Sequence, residues 1–338
     1  MLDYLVSSDN NLGSNNNFID VDNDFGGDLT QAIASANDGA TVKLGSNTYY
    51  TSGIVLDKNI TIDGQAGSSI NGNGTSDSII KLTPGASGST IRNVQITNGN
   101  NGIFGNGATN LTLENLEVTN IGLNNTIRSG ENNTGIILFR ADGLNLLNSD
   151  INNIGRKGVG VGDTTGAVIS GLNVRDINLA AQHVQSHDAA GVKLYNTHDT
   201  VVKDSYFSDI NAFNIWNDTA SQTTIEGNTL NNVGEDFLAP GFNTNVNIGG
   251  IYDEKASNST VRNNSGNSVN SRFLVFNATE FASQSIDFGD NNFSSYELGT
   301  TDYWVNEQAE KLIATTANPN DANFGSVAEE YFNQANIG

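Results

Sequence analysis

Cysteine is absent from the 338 residues, so neither a disulfide nor a thiolate metal site is available. Proline occurs three times, which leaves the turns to Asn and Gly. Cations are scarce: 15 Lys and Arg stand against 37 Asp and Glu, for a formal net charge of -22. Such a surface repels nucleic-acid backbones, and no nucleic-acid partner is expected. It repels acidic polymers too, except where cations gather. No apolar run is long enough to span a membrane as a helix. Met1-Leu2-Asp3-Tyr4 does not open like a signal peptide.

What is present is a repeat. Seven short apolar alternations recur, among them Gly135-Ile136-Ile137-Leu138-Phe139, Gly158-Val159-Gly160-Val161, Gly191-Val192-Lys193-Leu194-Tyr195 and Phe213-Asn214-Ile215-Trp216. Each is followed about ten residues on by a second short alternation, such as Leu144-Asn145-Leu146-Leu147-Asn148. Strands this short at a period this long mark a solenoid. Starts taken at Gly102, Gly135, Gly158, Gly191, Ala212, Ile248 and Arg272 give spacings of 33, 23, 33, 21, 36 and 24 residues. The extra residues of the longer coils fall in one place, at 122–133, 178–190 and 234–246. Insertions at one edge of a repeat array are where such proteins build sites.

The second alternation of each coil ends at Asn93, Asn115, Asn148, Gly171, Asp204, Gly227, Asn263 or Asp290. These residue types tolerate left-handed backbone, and stacked Asn side chains can bond along the array. Asp28 reads as the N-cap of a helix over Leu29–Ala36, which would cover the open first coil. The expected organisation is an N-terminal arm over 1–27, a solenoid over 28–300 and a helical tail over 301–338 packed on the last coil.

The opening Leu29…Ala32-Ile33…Ala36…Gly39-Ala40-Thr41-Val42…Leu44, the segment Asn59-Ile60-Thr61-Ile62-Asp63-Gly64 and the coils with an Asn bend resemble the pectate-lyase-like superfamily over roughly residues 28–295. The resemblance implies an all-β fold, a right-handed parallel β-helix. Members include polysaccharide lyases, C5-epimerases, glycoside hydrolases, phage tailspikes and non-catalytic adhesins. The Asn-Thr-Asp, Asp-Asp, Gly-His-Gly and Arg-Ile-Lys elements of the polygalacturonase-type hydrolases are missing, as is the Tyr-Gly-Phe-Asp-Pro-His element of the alginate epimerases. No catalytic residue carries over from the family. The resemblance implies a polysaccharide or oligosaccharide partner and a protein secreted or displayed at a bacterial cell surface. For the missing signal peptide three explanations stand: a leader already removed, another export route, or a cytosolic protein.

Alternation puts Ile136, Leu138, Val159, Val161, Val192, Leu194, Phe213 and Ile215 inside. Outward residues then stack in columns about 4.8 Å apart. One column is expected to read Phe139, Gly162, Tyr195, Trp216, Tyr252, Phe276; a second, Ile137, Gly160, Lys193, Asn214, Gly250, Leu274; a third, at the turn, Arg140, Asp163, Asn196, Asn217, Asp253, Asn277. Tyr195, Trp216 and Tyr252 would form an aromatic floor for sugar rings, with Gly160 and Gly162 leaving a dip beside it. His183 and His187, next to Asp188, lie in the second insertion; this pair suits a metal or a base held by a carboxylate. Arg128 and Arg140 add positive charge on preceding coils.

Two chemistries fit. Elimination or epimerisation at C5 of a uronate requires a cation for the carboxylate, a base for the C5 proton and an acid. Arg140 or Lys193 would neutralise, His187 or Lys193 would be the base and Tyr195 the acid, with Trp216, Tyr252, His183, Asp218, Asp253, Phe139 and Arg128 contacting substrate. Hydrolysis instead requires two carboxylates, for which Asp163, Asp218, Glu235, Asp236, Asp253 and Glu254 are candidates. Asp20-Val21-Asp22-Asn23-Asp24 alternates oxygen ligands like the start of a calcium loop, although Phe25 and Gln31 stand where glycine and glutamate belong. A lyase or epimerase is the expected activity; a tailspike-type hydrolase or a carbohydrate-binding module is the alternative.

Overall fold

The computed structural model describes residues 17–51, 53–123, 133–178, 189–211, 213–233, 237–238, 245–246, 249–254, 256–267, 272–277, 287–289 and 291–293. The expected tail over 301–338 and the first sixteen residues lie outside them. Short parallel strands wind into a parallel β-helix with three faces. The first face stacks eleven strands of three residues, from Phe18–Asp20 to Asp287–Gly289. Its middle residues Val42, Ile62, Ile91, Leu113, Leu146, Ile169, Val202 and Ile225 are all fully buried, and their neighbours on either side face out. Period-two alternation produces this pattern: one β-branched or leucine side chain per strand enters the core, worth roughly 1.5–3 kcal/mol for each side chain removed from water.

The second face runs through Glu117–Ile121, Asp150–Ile154, Asn173–Ile177, Tyr206–Ile210 and Thr229–Val233. The third runs through Thr134–Phe139, Lys157–Gly162, Ala190–Tyr195, Phe213–Asp218, Gly249–Glu254 and Arg272–Asn277. The two faces join where Ser69–Leu82 and Gln95–Asn106 continue around the corner, with register shifts beside Thr75. The three insertions all fall at this corner, between the second face and the third.

The bend after the first face adopts the left-handed backbone that its residues favour. Asn93, Asn115, Asn148, Asp204 and Asn263 have φ of 58°, 51°, 48°, 51° and 55°. The Asn115 Nδ2 donates to Asn93 Oδ1 at 3.2 Å, and Asn93 Nδ2 to Asp63 Oδ1 at 2.8 Å. Inside the same corner a second ladder forms: Asn228 Nδ2 donates to Asn264 Oδ1 at 3.0 Å, and Asn264 Nδ2 to Asn291 Oδ1 at 3.1 Å.

The first coil is covered by a helix over Leu29–Ser35, where Asp28 accepts from Gln31 N at 2.9 Å and Leu29, Ala32 and Ile33 are buried. Lys58 Nζ closes its far end by donating to the carbonyls of Ala34 and Ala36. Part of the span expected as an arm, residues 18–25, has regular structure. Phe18–Asp20 pairs with Thr41–Lys43 and Val21–Phe25 is helical, because Ile19 and Val21 enter the core. The carboxylates of the calcium-like segment are engaged within the fold. Asp20 accepts from Asn23 N as the N-cap, Asp24 accepts from Asp20 N, and Asp22 accepts from Asn47 Nδ2 and Tyr49 OH. These carboxylates satisfy a helix terminus and the first coil.

Candidate functional site

The register of the third face revises the expected columns. Lys193 pairs with Trp216, and Trp216 with Tyr252; Tyr195 pairs with Asp218, and Asp218 with Glu254. One outer column therefore reads Phe104, Ile137, Gly160, Lys193, Trp216, Tyr252, Val275, and the next reads Phe139, Gly162, Tyr195, Asp218, Glu254, Asn277. Trp216 and Tyr252 are vertical neighbours, but Tyr195 belongs to the other column. The coil from Val192 to Ile215 is 23 residues long, not 21. A slip of two residues keeps every side chain on its face and changes only its neighbour, so alternation cannot detect it. The same slip moves Asn217 from the turn into the core, where it is fully buried; Thr219, with φ of 52°, takes the turn position after Arg140, Asp163 and Asn196. Asp253 shares the register of Asn217 and Leu194, not an outer column.

Phe213 is buried, as the alternation predicts, and packs edge-on against Trp216, ring centroids 5.3 Å apart. Two further expectations change. The dip above Gly160 and Gly162 is filled: a Cβ on Gly160 would meet Ile137 Cδ1 at 2.7 Å, and one on Gly162 would meet the Phe139 ring at 2.6 Å. Trp216 is no open platform, because it is only 5% exposed.

What the face does assemble is a charged cluster beside an open phenol. Lys193 Nζ sits 3.1 Å from Asp218 Oδ2 and 3.5 Å from the Trp216 ring centroid. The Lys193 and Asp218 side chains are 12% and 14% exposed. The alternation that aims Val192 and Leu194 into the core aims Lys193 outward, and the parallel register brings the next coil's Trp216 and Asp218 to it. Tyr195, two residues further along the strand, is 48% exposed. The Lys157 side chain is buried on the same side, its stem 3.9 Å from where a Gly160 Cβ would stand. Phe139 is half-buried at the head of the second column. Arg140 stands at the turn with φ of 51°, exposed, its guanidinium 3.4 Å from Asn106 Oδ1. Asp163 is exposed and accepts from Asn196 Nδ2 at 2.8 Å.

The cluster thus contains Lys193, Asp218, Trp216 and Tyr195, with Tyr252 and Glu254 in register on the next coil. It does not contain Asp253, and Arg140 stands two coils from Tyr195. His183, His187, Asp188, Arg128, Glu235 and Asp236 lie outside the described residues. The third histidine, His198, is at the turn beyond the strand, between Asp199 Oδ2 at 3.2 Å and Ser221 Oγ at 2.8 Å. No group of three or more His, Asp or Glu poised to hold a metal occurs among the described residues. No helix among them is long and apolar enough to cross a membrane.

No protein-family model matches the chain, and no curated protein matches it in sequence. Solved structures do match in fold. The catalytic domain of a GH87 α-1,3-glucanase, in complex with tetrasaccharides, aligns over 79% of this chain at a TM-score of 0.54 and 15% identity. The chain spans 57% of that domain. An alginate lyase from Paenibacillus sp. str. FPU-7 aligns over 79% of this chain and 95% of its own length, at a TM-score of 0.50 and 16% identity. At these identities the likeness establishes the fold: this chain is an all-β parallel β-helix.

Proposed function

We propose that the outer surface of the third face is a carbohydrate site, and that the protein is a lyase or C5-epimerase acting on a uronate-containing polysaccharide, secreted or held at a cell surface. The observation that carries this reading is the shielded Lys193 ammonium, paired with Asp218 and set two residues along the strand from the open Tyr195 phenol. In a chain of net charge -22 a cation at this place offers a uronate carboxylate the counter-charge that most of the surface denies it.

Each role follows from position. Lys193 faces the carboxylate and stabilises the charge that builds on it when the C5 proton leaves. His187, three residues before the strand that carries Lys193, is the base. The electron pair forms the C4–C5 double bond, the C4–O bond breaks, and Tyr195 protonates the departing oxygen. In epimerisation the proton returns to C5 from the opposite side instead. Trp216 backs the Lys193 ammonium from below, Tyr252 continues its register by one coil, and Arg140 meets a sugar further along the chain.

One observation favours a second reading, hydrolysis. Asp218 and Glu254 are register partners, so two acidic residues hold matching strand positions one coil apart. Product analysis separates the two. Incubation with alginate, pectate and glycosaminoglycans should give the ultraviolet absorbance of a conjugated unsaturated sugar, and Lys193→Ala and Tyr195→Phe should each abolish it. Reducing ends without that absorbance would replace elimination by hydrolysis. Tight binding without turnover would reduce the protein to a binding module. Full turnover in both variants would remove the site from this face.

A further inference from the structure

A second groove lies away from the third face, along the corner where the first face turns into the second. It encloses about 600 Å³, within the range of small-molecule sites. One wall is the bend ladder of Asn93, Asn115 and Asn148; the other is formed by Gln95, Glu117 and Asp150. Gln95, Glu117 and Asp150 are register partners on three successive coils, so polar groups recur along the groove about every 4.8 Å. That repeat is close to the length of one pyranose unit in an extended glycan.

The chemistry of the walls selects the ligand. The Asp150 carboxylate is already engaged by Asn173 at 2.8 Å and by Arg175 at 3.4 Å, so it shapes the wall more than it offers an acceptor. The Glu117 and Asn148 side chains are exposed, and Gln95, whose Oε1 accepts from Ser69 Oγ at 3.0 Å, keeps its amide nitrogen as a donor. Adjacent amide and carboxylate groups match the paired donors and acceptors of vicinal hydroxyls. Two carboxylates in one wall repel an anionic sugar, and no aromatic ring lines the groove to hold an apolar ligand. We infer that this corner groove is a binding site for a neutral oligosaccharide, lying along the solenoid axis across three coils and independent of the third face.

The test is calorimetric titration of the full chain with neutral oligosaccharides (cello-, xylo-, laminari- and malto-series) and, separately, with oligouronates. Wild type should bind at least one neutral series. Glu117→Ala combined with Gln95→Ala should weaken that binding at least tenfold, while Lys193→Ala leaves it unchanged. Both substituted positions are on the outward side of the second face, and an unchanged circular-dichroism melt confirms the fold. Three results would overturn the inference: no neutral series binding to wild type, binding unaffected by the double substitution, or oligouronates binding the groove as well as neutral chains. Loss of binding in Lys193→Ala would move the ligand to the third face and equally refute it. Because Lys193 is the only variant shared with the polysaccharide assays, failure of one site leaves the other standing.

Discussion

Removing Asp218 tests whether the Lys193 cluster is as tightly held as its geometry implies. Asp218→Ala leaves the ammonium shielded without its carboxylate. Breaking a buried ion pair costs roughly 3–5 kcal/mol, and the cation–π contact with Trp216, worth about 0.5–2 kcal/mol, survives. With side chains 12% and 14% exposed, water screens part of the loss, so a destabilisation of about 2–4 kcal/mol is expected. Lys193→Met should cost less, since methionine keeps the stem packed and Asp218 reaches water more easily. The double variant should then be more stable than the sum of the singles, with a coupling of about 2 kcal/mol. Two tryptophans are present in the chain, and replacing Trp304 by Phe leaves Trp216 as a local reporter of urea unfolding. A coupling below about 0.5 kcal/mol would show the pair to be an ordinary surface contact and refute the reasoning.

Alkaline conditions should loosen the first coil. Burial, followed by the nearby Asp22 carboxylate, pushes the Tyr49 phenol from 10.0 up to about 12. Its folded-state pKa is raised, so its contribution is complete below pH 10 and is lost as pH climbs toward 12; the two-unit shift corresponds to roughly 2–3 kcal/mol. Tyr49→Phe should flatten the stability profile over that window, and an unchanged slope would contradict the assignment. Asn264→Ala breaks the inner ladder on both sides, removing the side-chain acceptor of Asn228 N, and should cost about 1–3 kcal/mol in urea unfolding; a cost under about 0.5 kcal/mol would mean that the ladder contributes little. Asn214 is fully buried and neither amide atom is bonded among the described residues, so Asn214→Leu should raise the melting temperature, by a gain of about 1–3 kcal/mol. A lower melting temperature would show that the amide has a use.

The three-faced solenoid was legible because apolar residues alternate with period two and because Asn, Asp and Gly mark each bend. Asn93, Asn115 and Asn148 stand where the bend rule puts them, and Asp28 caps the helix that closes the first coil. What alternation could not supply was register. Between Val192 and Ile215 a 21-residue coil and a 23-residue coil place the same side chains inside, so Tyr195 was matched to Trp216 when its partner is Asp218. The error concealed the Lys193, Asp218 and Trp216 cluster, which exists only when the register is right. The glycines at 160 and 162 were read as empty space, but side chains of the preceding coil lean over them, which one-strand patterns do not reveal.

The claim on which the functional account rests is that a polysaccharide lies on the outer columns of the third face. A crystal structure of the Tyr195→Phe variant with an oligouronate bound tests it most directly. The account predicts a chain of density crossing Phe139, residue 195 and Asp218, with a sugar carboxylate beside Lys193. A ligand seated on either of the other two faces, with the third face bare, would contradict it.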